Sequence, residues 1–269
     1  MKKKHKIIWF IIKYGLEKYF LKNFEIYAPS VAGNPKTKGK ITIENINKIF
    51  PMISQLISKL GLNKDIVISK TFCKGKKKLK EASKLKNLFD MYGSDKSKYH
   101  DYHFIYSSIF KNSLKVKKIL EVGIGTNNTS LLSNMGEMGR PGASLKAYRD
   151  FFKRSKIYGA DIDKKILFKD KRIVTQYVDQ TNYKSIKKLF RSFGGKFDLI
   201  IDDGLHSHVA NLNLLSHSLE FLKKGGCLAI EDISLNSKPI WLTISAILSF
   251  KHKCLLIKCK RSYVCLVYK

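Results

Sequence analysis

From residue 115 onward, short apolar runs alternate with stretches of helical spacing. Val116–Val122, Lys156–Ala160, Arg172–Val178, Phe197–Ile201 and Cys227–Ile230 read as strands, and 144–152, 182–192 and 208–222 as the helices between them. Two last apolar runs, Lys253–Lys258 and Tyr263–Tyr268, flank Cys259–Ser262 and predict an antiparallel hairpin. Alternating βα units with short loops predict a doubly wound, Rossmann-like α/β fold. Its seven-stranded sheet is mostly parallel, with the hairpin adding one reversed strand at the edge.

The first 80 residues follow a different pattern. Residues 1–28 read as one helix stopped near Pro29, and Ser30–Gly39 as a loop. Ile43–Leu60 has helical spacing that Pro51 breaks or restarts, with Gly61 as a C-cap. Lys74–Lys78 is an exposed hinge into a helix over Leu79–Met91. The chain thus divides into a basic, mostly helical extension (1–80) and an α/β domain (81–269). Lysines followed by Ile7–Ile12 imitate a leader peptide, but Lys13 ends the apolar run after six residues. A membrane span needs roughly 20. The segment predicts an amphipathic helix packed on the chain's own core or a second subunit. A peripheral anionic membrane contact through residues 1–28, with Trp9 and Phe10 as anchors, is the other reading.

Charge complicates this picture. The chain has 269 residues with a net charge of +31, a balance that suggests a nucleic-acid or membrane partner. Yet only six of its 52 basic residues are arginine, and arginine's fork is what base and phosphate recognition favours. Residues 1–80 carry 19 Lys against four acids; a lysine-rich background with one more basic end accounts for this. Five cysteines without CxxC spacing indicate neither a disulfide framework nor a zinc ribbon, and point to the cytoplasm.

Against this lysine excess, every predicted parallel strand ends in acid: Glu121, Asp161, Asp179, Asp202/Asp203 and Glu231/Asp232. That places seven of the 21 acids on the rim where such sheets bind ligands. Any one of them alone could be a helix N-cap; the set points to a site. The first turn reads Glu121-Val-Gly123-Ile-Gly125 and lacks the third glycine of a dinucleotide loop. A carboxylate before the first glycine repels pyrophosphate and suits a cationic amino-acid end or a hydroxyl. Asp161 is placed for ribose hydroxyls, and Asp179-Gln180 for an adenine amine. The implied ligand is adenosine joined to a cationic group.

These motifs resemble the class I S-adenosylmethionine-dependent methyltransferases. More narrowly, the chain is similar to the metal-dependent sugar O-methyltransferases of macrolide biosynthesis and the related cephalosporin-hydroxylase-like group. The resemblance covers about residues 88–235. It rests on Tyr92-Gly-Ser-Asp-Lys96, His100-Asp-Tyr-His103, Leu120–Gly125, Gly142-Ala-Ser-Leu145, Tyr158–Asp163, Val178-Asp-Gln180, Ile200–His206 and Ile230–Ile233. It implies S-adenosylmethionine as cofactor, Mg²⁺ held by Asp203, Glu231 and Asp232, and His206 as general base. The family more often has Asp where this chain has Glu231, which lengthens one ligand arm. Three crowded carboxylates call for a dication. Ser144 caps a helix near the cofactor after the long 126–143 loop, and the Tyr92–His103 element roofs the methionine end or the acceptor pocket.

The expected reaction is methyl transfer to a hydroxyl of a small-molecule or glycan acceptor with vicinal hydroxyls, by a homo-oligomeric enzyme. The alternatives are a nucleic-acid methyltransferase, which only the charge supports, and a hydroxylase-like or non-catalytic relative on the same fold. No Asn-Pro-Pro-Tyr-type motif or RNA-binding module is present to favour nucleic acid.

Overall fold

The computed structural model describes residues 7–8, 11, 15–62 and 66–269. The chain forms two compact units, Met1–Asn63 and Lys64–Lys269. In the first, helix Leu16–Asn23 and a 3₁₀ turn at Glu25–Tyr27 precede helix Pro35–Lys59. Trp9 and Phe10 lie outside the described residues. The long helix starts inside the expected loop because Asn34 caps it, its side chain accepting from the amides of Lys36 and Thr37. Pro51 sits within that helix without ending it. The two helices cross at Gly39, where a Cβ would stand 2.4 Å from that of Glu17.

The second unit is built on a nine-stranded mixed sheet rather than a seven-stranded one. The strands are β1 (Ile66–Ile68), β2 (Lys118–Val122), β3 (Lys156–Asp161), β4 (Lys169–Asp170), β5 (Ile173–Tyr177), β6 (Phe197–Asp202), β7 (Leu222–Ile233), β8 (Lys253–Lys258) and β9 (Tyr263–Tyr268). Their order is β1-β8-β9-β7-β6-β2-β3-β5-β4. The seven inner strands match the expected set, and short β1 and β4 extend the two edges. The hairpin also differs from expectation. Its reversed strand β9 is inserted between β7 and β8, antiparallel to both, and β8 then pairs parallel with β1.

The inner strands are apolar on both faces because helices cover both. Alternate residues such as Ile119, Ile157 and Leu199 pack with Leu85 and Phe89 of helix Lys76–Tyr92 and with Tyr148 of helix Ala143–Phe151. Leu120, Tyr158 and Ile200 pack on the opposite side with Phe190 of helix Tyr183–Phe193, Leu214 of helix His208–Phe221 and Trp241 of helix Lys238–Leu248. Connections leave β2 toward β3 on one side and return to β6 on the other. This is the switch point beside which open α/β sheets bind ligands. All five cysteines are buried, and none forms a disulfide. No helix among the described residues is long and apolar enough to cross a membrane.

Candidate active site

The turn after β2 is shaped for close approach. Gly123 and Gly125 have φ of 86° and 81°, a region that disfavours residues with a Cβ. A Cβ on Gly123 would lie 2.0 Å from the Asp203 carbonyl oxygen, so the β2 and β6 turns touch through backbone alone. Asp161 at the end of β3 accepts from the amides of Ile124 and Asp163, both at 2.9 Å, and so fixes two turns together. Beside it, Asp163 accepts from Thr126 Oγ1 at 2.6 Å. The 126–142 loop folds back through Asn127 Nδ2, which donates to the carbonyls of Gly136 and Gly139. Its Leu131, Ser133 and Met135 wall a cavity of about 380 Å³ that opens onto the ends of β2, β3, β5, β6 and β7.

Glu121 is fully buried and does not itself line the cavity; it accepts from Ser144 Oγ at 2.5 Å and lies 3.2 Å from Lys96 Nζ, two residues that do. Burial pushes its carboxyl up to about 7, against the pull of Lys96. Gln180 is committed to protein partners. Its Nε2 donates to Asp202 Oδ1 at 2.6 Å and its Oε1 accepts from the Leu205 amide at 3.0 Å. Asp179 Oδ1 accepts from both the amide and hydroxyl of Thr181. Both residues still line the cavity, with Gln180 shaping the turn that carries His206.

The structure separates the acids expected to hold metal. Asp203, His206 and Asp232 each offer a ligand atom within 4.8 Å of the others. Glu231 instead turns inward, to Lys96 Nζ and the Tyr106 hydroxyl. Lys96, only 3% exposed, bonds Asp203 Oδ2 at 2.7 Å and pairs with Glu121 and Glu231. Burial disfavours its charge, but these three carboxylates outweigh that and hold it protonated. Burial among the other acids raises the Glu231 carboxyl. An ammonium therefore supplies part of the countercharge that the sequence argument reserves for a dication.

Asp232 is oriented by Tyr102, whose hydroxyl donates to Oδ1 at 2.7 Å, and by His100 Nδ1 at 3.1 Å. Burial opposes charge on both, yet the contact holds Asp232 below the usual carboxylate range, and Asp232 with Asp95 lifts His100 to about 9. His206 has φ of 54° and Asp232 φ of 51°, a strained region for non-glycine residues and one enriched at functional sites. His206 Nε2 stands 3.9 Å from Asp203 Oδ1, with its side chain partly open to the cavity.

Lys96, His100, Tyr102 and Tyr106 were not assigned roles from the sequence. Only the motifs that contain Lys96, His100 and Tyr102 marked the segment, and Tyr106 lies just beyond them.

No protein-family model matches the chain. It is 28% identical over 149 residues to the 8-demethyl-8-alpha-L-rhamnosyl tetracenomycin-C 2'-O-methyltransferase of Streptomyces olivaceus, covering 55% of this chain and 37% of that protein. Demethylmacrocin O-methyltransferase of Streptomyces fradiae is 34% identical over 117 residues, covering 43% and 27%. The MycE methyltransferase of the mycinamycin biosynthetic pathway, solved with Mg, SAH and mycinamycin VI, superposes with a TM-score of 0.57 at 22% identity, covering 69% of this chain and 54% of that one. The resemblance to sugar O-methyltransferases therefore holds in sequence, and the α/β methyltransferase fold holds in structure. The chain spans about a third of the length of these curated relatives and about half of the solved one.

Proposed function

We propose that the chain is an S-adenosylmethionine-dependent O-methyltransferase that works with Mg²⁺ on a hydroxyl of a sugar, glycan or secondary-metabolite precursor. One observation carries this reading: the glycine turn after β2 and the Asp203–His206–Asp232 group after β6 and β7 open into the same cavity. The rhamnosyl tetracenomycin-C relative named above, sugar-modifying by name, supports the acceptor class.

The residues fit both absent groups. Gly123 and Gly125 present bare backbone to the cavity at the end of β2, where a Cβ would collide with the Asp203 backbone or the Met135 side chain, and hard oxygen donors at Asp203 and Asp232 suit Mg²⁺. Glu231 can join them only by leaving Lys96. When bound, S-adenosylmethionine supplies a methyl group on a sulfonium sulfur, and Mg²⁺ acidifies the acceptor hydroxyls. The chain's residues do the rest by positioning. Ser144, held by Glu121 behind it, faces the amino-acid end, and Asp161 keeps carboxylate lone pairs for ribose hydroxyls. Asp179 and Gln180 border the adenine. His206 takes the hydroxyl proton at Nε2. The same reading makes the enzyme a cytoplasmic homo-oligomer whose extension is residues 1–63 rather than 1–80, since Ile66–Ile68 already pairs into the sheet.

Calorimetric titration of S-adenosylmethionine with and without Mg²⁺, followed by a methyl-transfer screen of nucleotide sugars and glycans, tests it. Absence of cofactor binding sinks the proposal, and turnover indifferent to chelators removes the metal from it. His206→Ala should lower turnover by about 10²–10⁴-fold and leave cofactor affinity intact; lost affinity would mean that another group is the base.

A further inference from the structure

Helix Pro35–Lys59 is apolar over more of its circumference than its own unit covers. Its buried side presents Gly39, Thr42 and Ile57, with half-buried Ile46, Phe50 and Ile53 between them. A second set stays exposed: Ile41, Ile49, Met52 at 65%, Leu56 at 56% and the C-capping Leu60 at 63%. At 3.6 residues per turn these five fall within an arc of about 100°. Asn45 lies in the same arc and donates to the Tyr27 carbonyl at 2.9 Å. That bond brings the Glu25–Tyr27 turn, with Ile26 exposed, beside the stripe. Scattered exposed leucines need no explanation, but a contiguous stripe marks an interaction face.

The surroundings of the stripe say what it meets. Lys48 and Lys59 run along its border, and Lys48 has only an exposed partner in Glu44. Residues 1–63 hold 12 Lys, three Glu and no Asp or Arg. A second copy on this face would set these lysines against their own equivalents, in a chain of +31. An acidic lipid surface matches both halves at once: acyl chains take the stripe, and headgroups take ammonium point charges that need no bidentate geometry. With five Lys and one Glu inside it, the helix lies along such a surface and does not cross it.

We propose that this face of Pro35–Lys59 docks on anionic membrane, with Met52, Leu56 and Leu60 in the interface. The site lies beyond residues 1–28, and the inference is independent of the methyltransferase reading.

The test is flotation of the full chain with vesicles of 30% phosphatidylglycerol in phosphatidylcholine, against phosphatidylcholine alone. At least tenfold tighter binding to the acidic vesicles is expected, weakening as salt rises. Met52→Glu with Leu56→Glu should lose at least tenfold at unchanged melting temperature. Lys48→Gln with Lys59→Gln, which keeps the stripe intact, should weaken binding and flatten its salt dependence. The proposal is overturned by absent binding to acidic vesicles, or by binding of the Glu variant within twofold of the parent. It is equally overturned if sedimentation shows that the Glu substitutions dissociate a dimer, since a second copy then covers the face.

Discussion

At the scale of single residues, the site is organised by one ammonium. Lys96 meets Glu121, Asp203 and Glu231 where water cannot replace it. Removing one partner of a buried ion pair leaves unpaired charge and destabilises by about 3–5 kcal/mol. Lys96→Met should therefore lower stability by about that amount in urea unfolding, and a loss under about 1 kcal/mol would mean that the acids find other partners. Gly123 makes a separate prediction. A methyl there meets the Asp203 carbonyl at 2.0 Å with φ at 86°, so Gly123→Ala should force the β2 and β6 turns apart. Binding of S-adenosylhomocysteine, followed by calorimetry, should fall by at least tenfold. The acids of the rim were legible in the sequence because each closes a readable strand. Their countercharge was not, since Lys96 precedes β2 in a loop and meets the acids only through tertiary folding. Gln180 was half legible for a related reason: a polar residue at a strand end can face a ligand or clamp the next turn, and its bonds to Asp202 and Leu205 add the clamp that its place in the sequence did not announce.

Among the elements, the short helix Tyr102–Tyr106 does more than its five residues suggest. It delivers Tyr102 to Asp232 and Tyr106 to Glu231, and it carries His103 on the way. Burial, aided by Lys86 and Lys260 against Asp101 and Asp90, holds the His103 imidazole down to about 4. In the unfolded chain it titrates near 6.5. Between those values the unfolded state binds the extra proton, so stability rises with pH through this window and falls as pH drops from about 6.5 to 4. The slope is at most about 1.4 kcal/mol per pH unit. Urea midpoints measured across that range should show it, and His103→Gln should flatten it relative to the parent. The same scale explains which elements the sequence revealed. Strands β2, β3, β5, β6 and β7 announce themselves as apolar runs between turns, whereas three-residue β1 and two-residue β4 exist only as edge pairings. Helix Lys238–Leu248 went unread because apolar residues cover most of its surface and leave little periodicity. Insertion of β9 beside β7 is likewise invisible locally, since a hairpin pattern does not say which arm joins the sheet.

For the whole molecule, the charge of +31 and the acidic rim act in opposite directions on any cation. The body repels itself, so compaction is opposed at low ionic strength. Raising NaCl from about 10 mM to 0.15 M shortens the Debye length from about 30 to 8 Å, and the melting temperature should rise without any specific binding. Mg²⁺ at matched ionic strength tests something else. Delivered into a lysine-rich protein it gains nothing from the surface, and any further rise must come from a local site that outbids the surrounding positive field. Asp203 and Asp232 are the carboxylates brought close enough to do so. Saturation at 100 times the dissociation constant adds about 2.7 kcal/mol. Mg²⁺ should thus raise the melting temperature above the NaCl control, and Asp203→Asn or Asp232→Asn should cancel that increment while keeping the NaCl response. Identical melting in the two salts would show that the rim holds no divalent ion, leaving Lys96 as the cluster's resident cation and the acceptor hydroxyl to be deprotonated by His206 without that help.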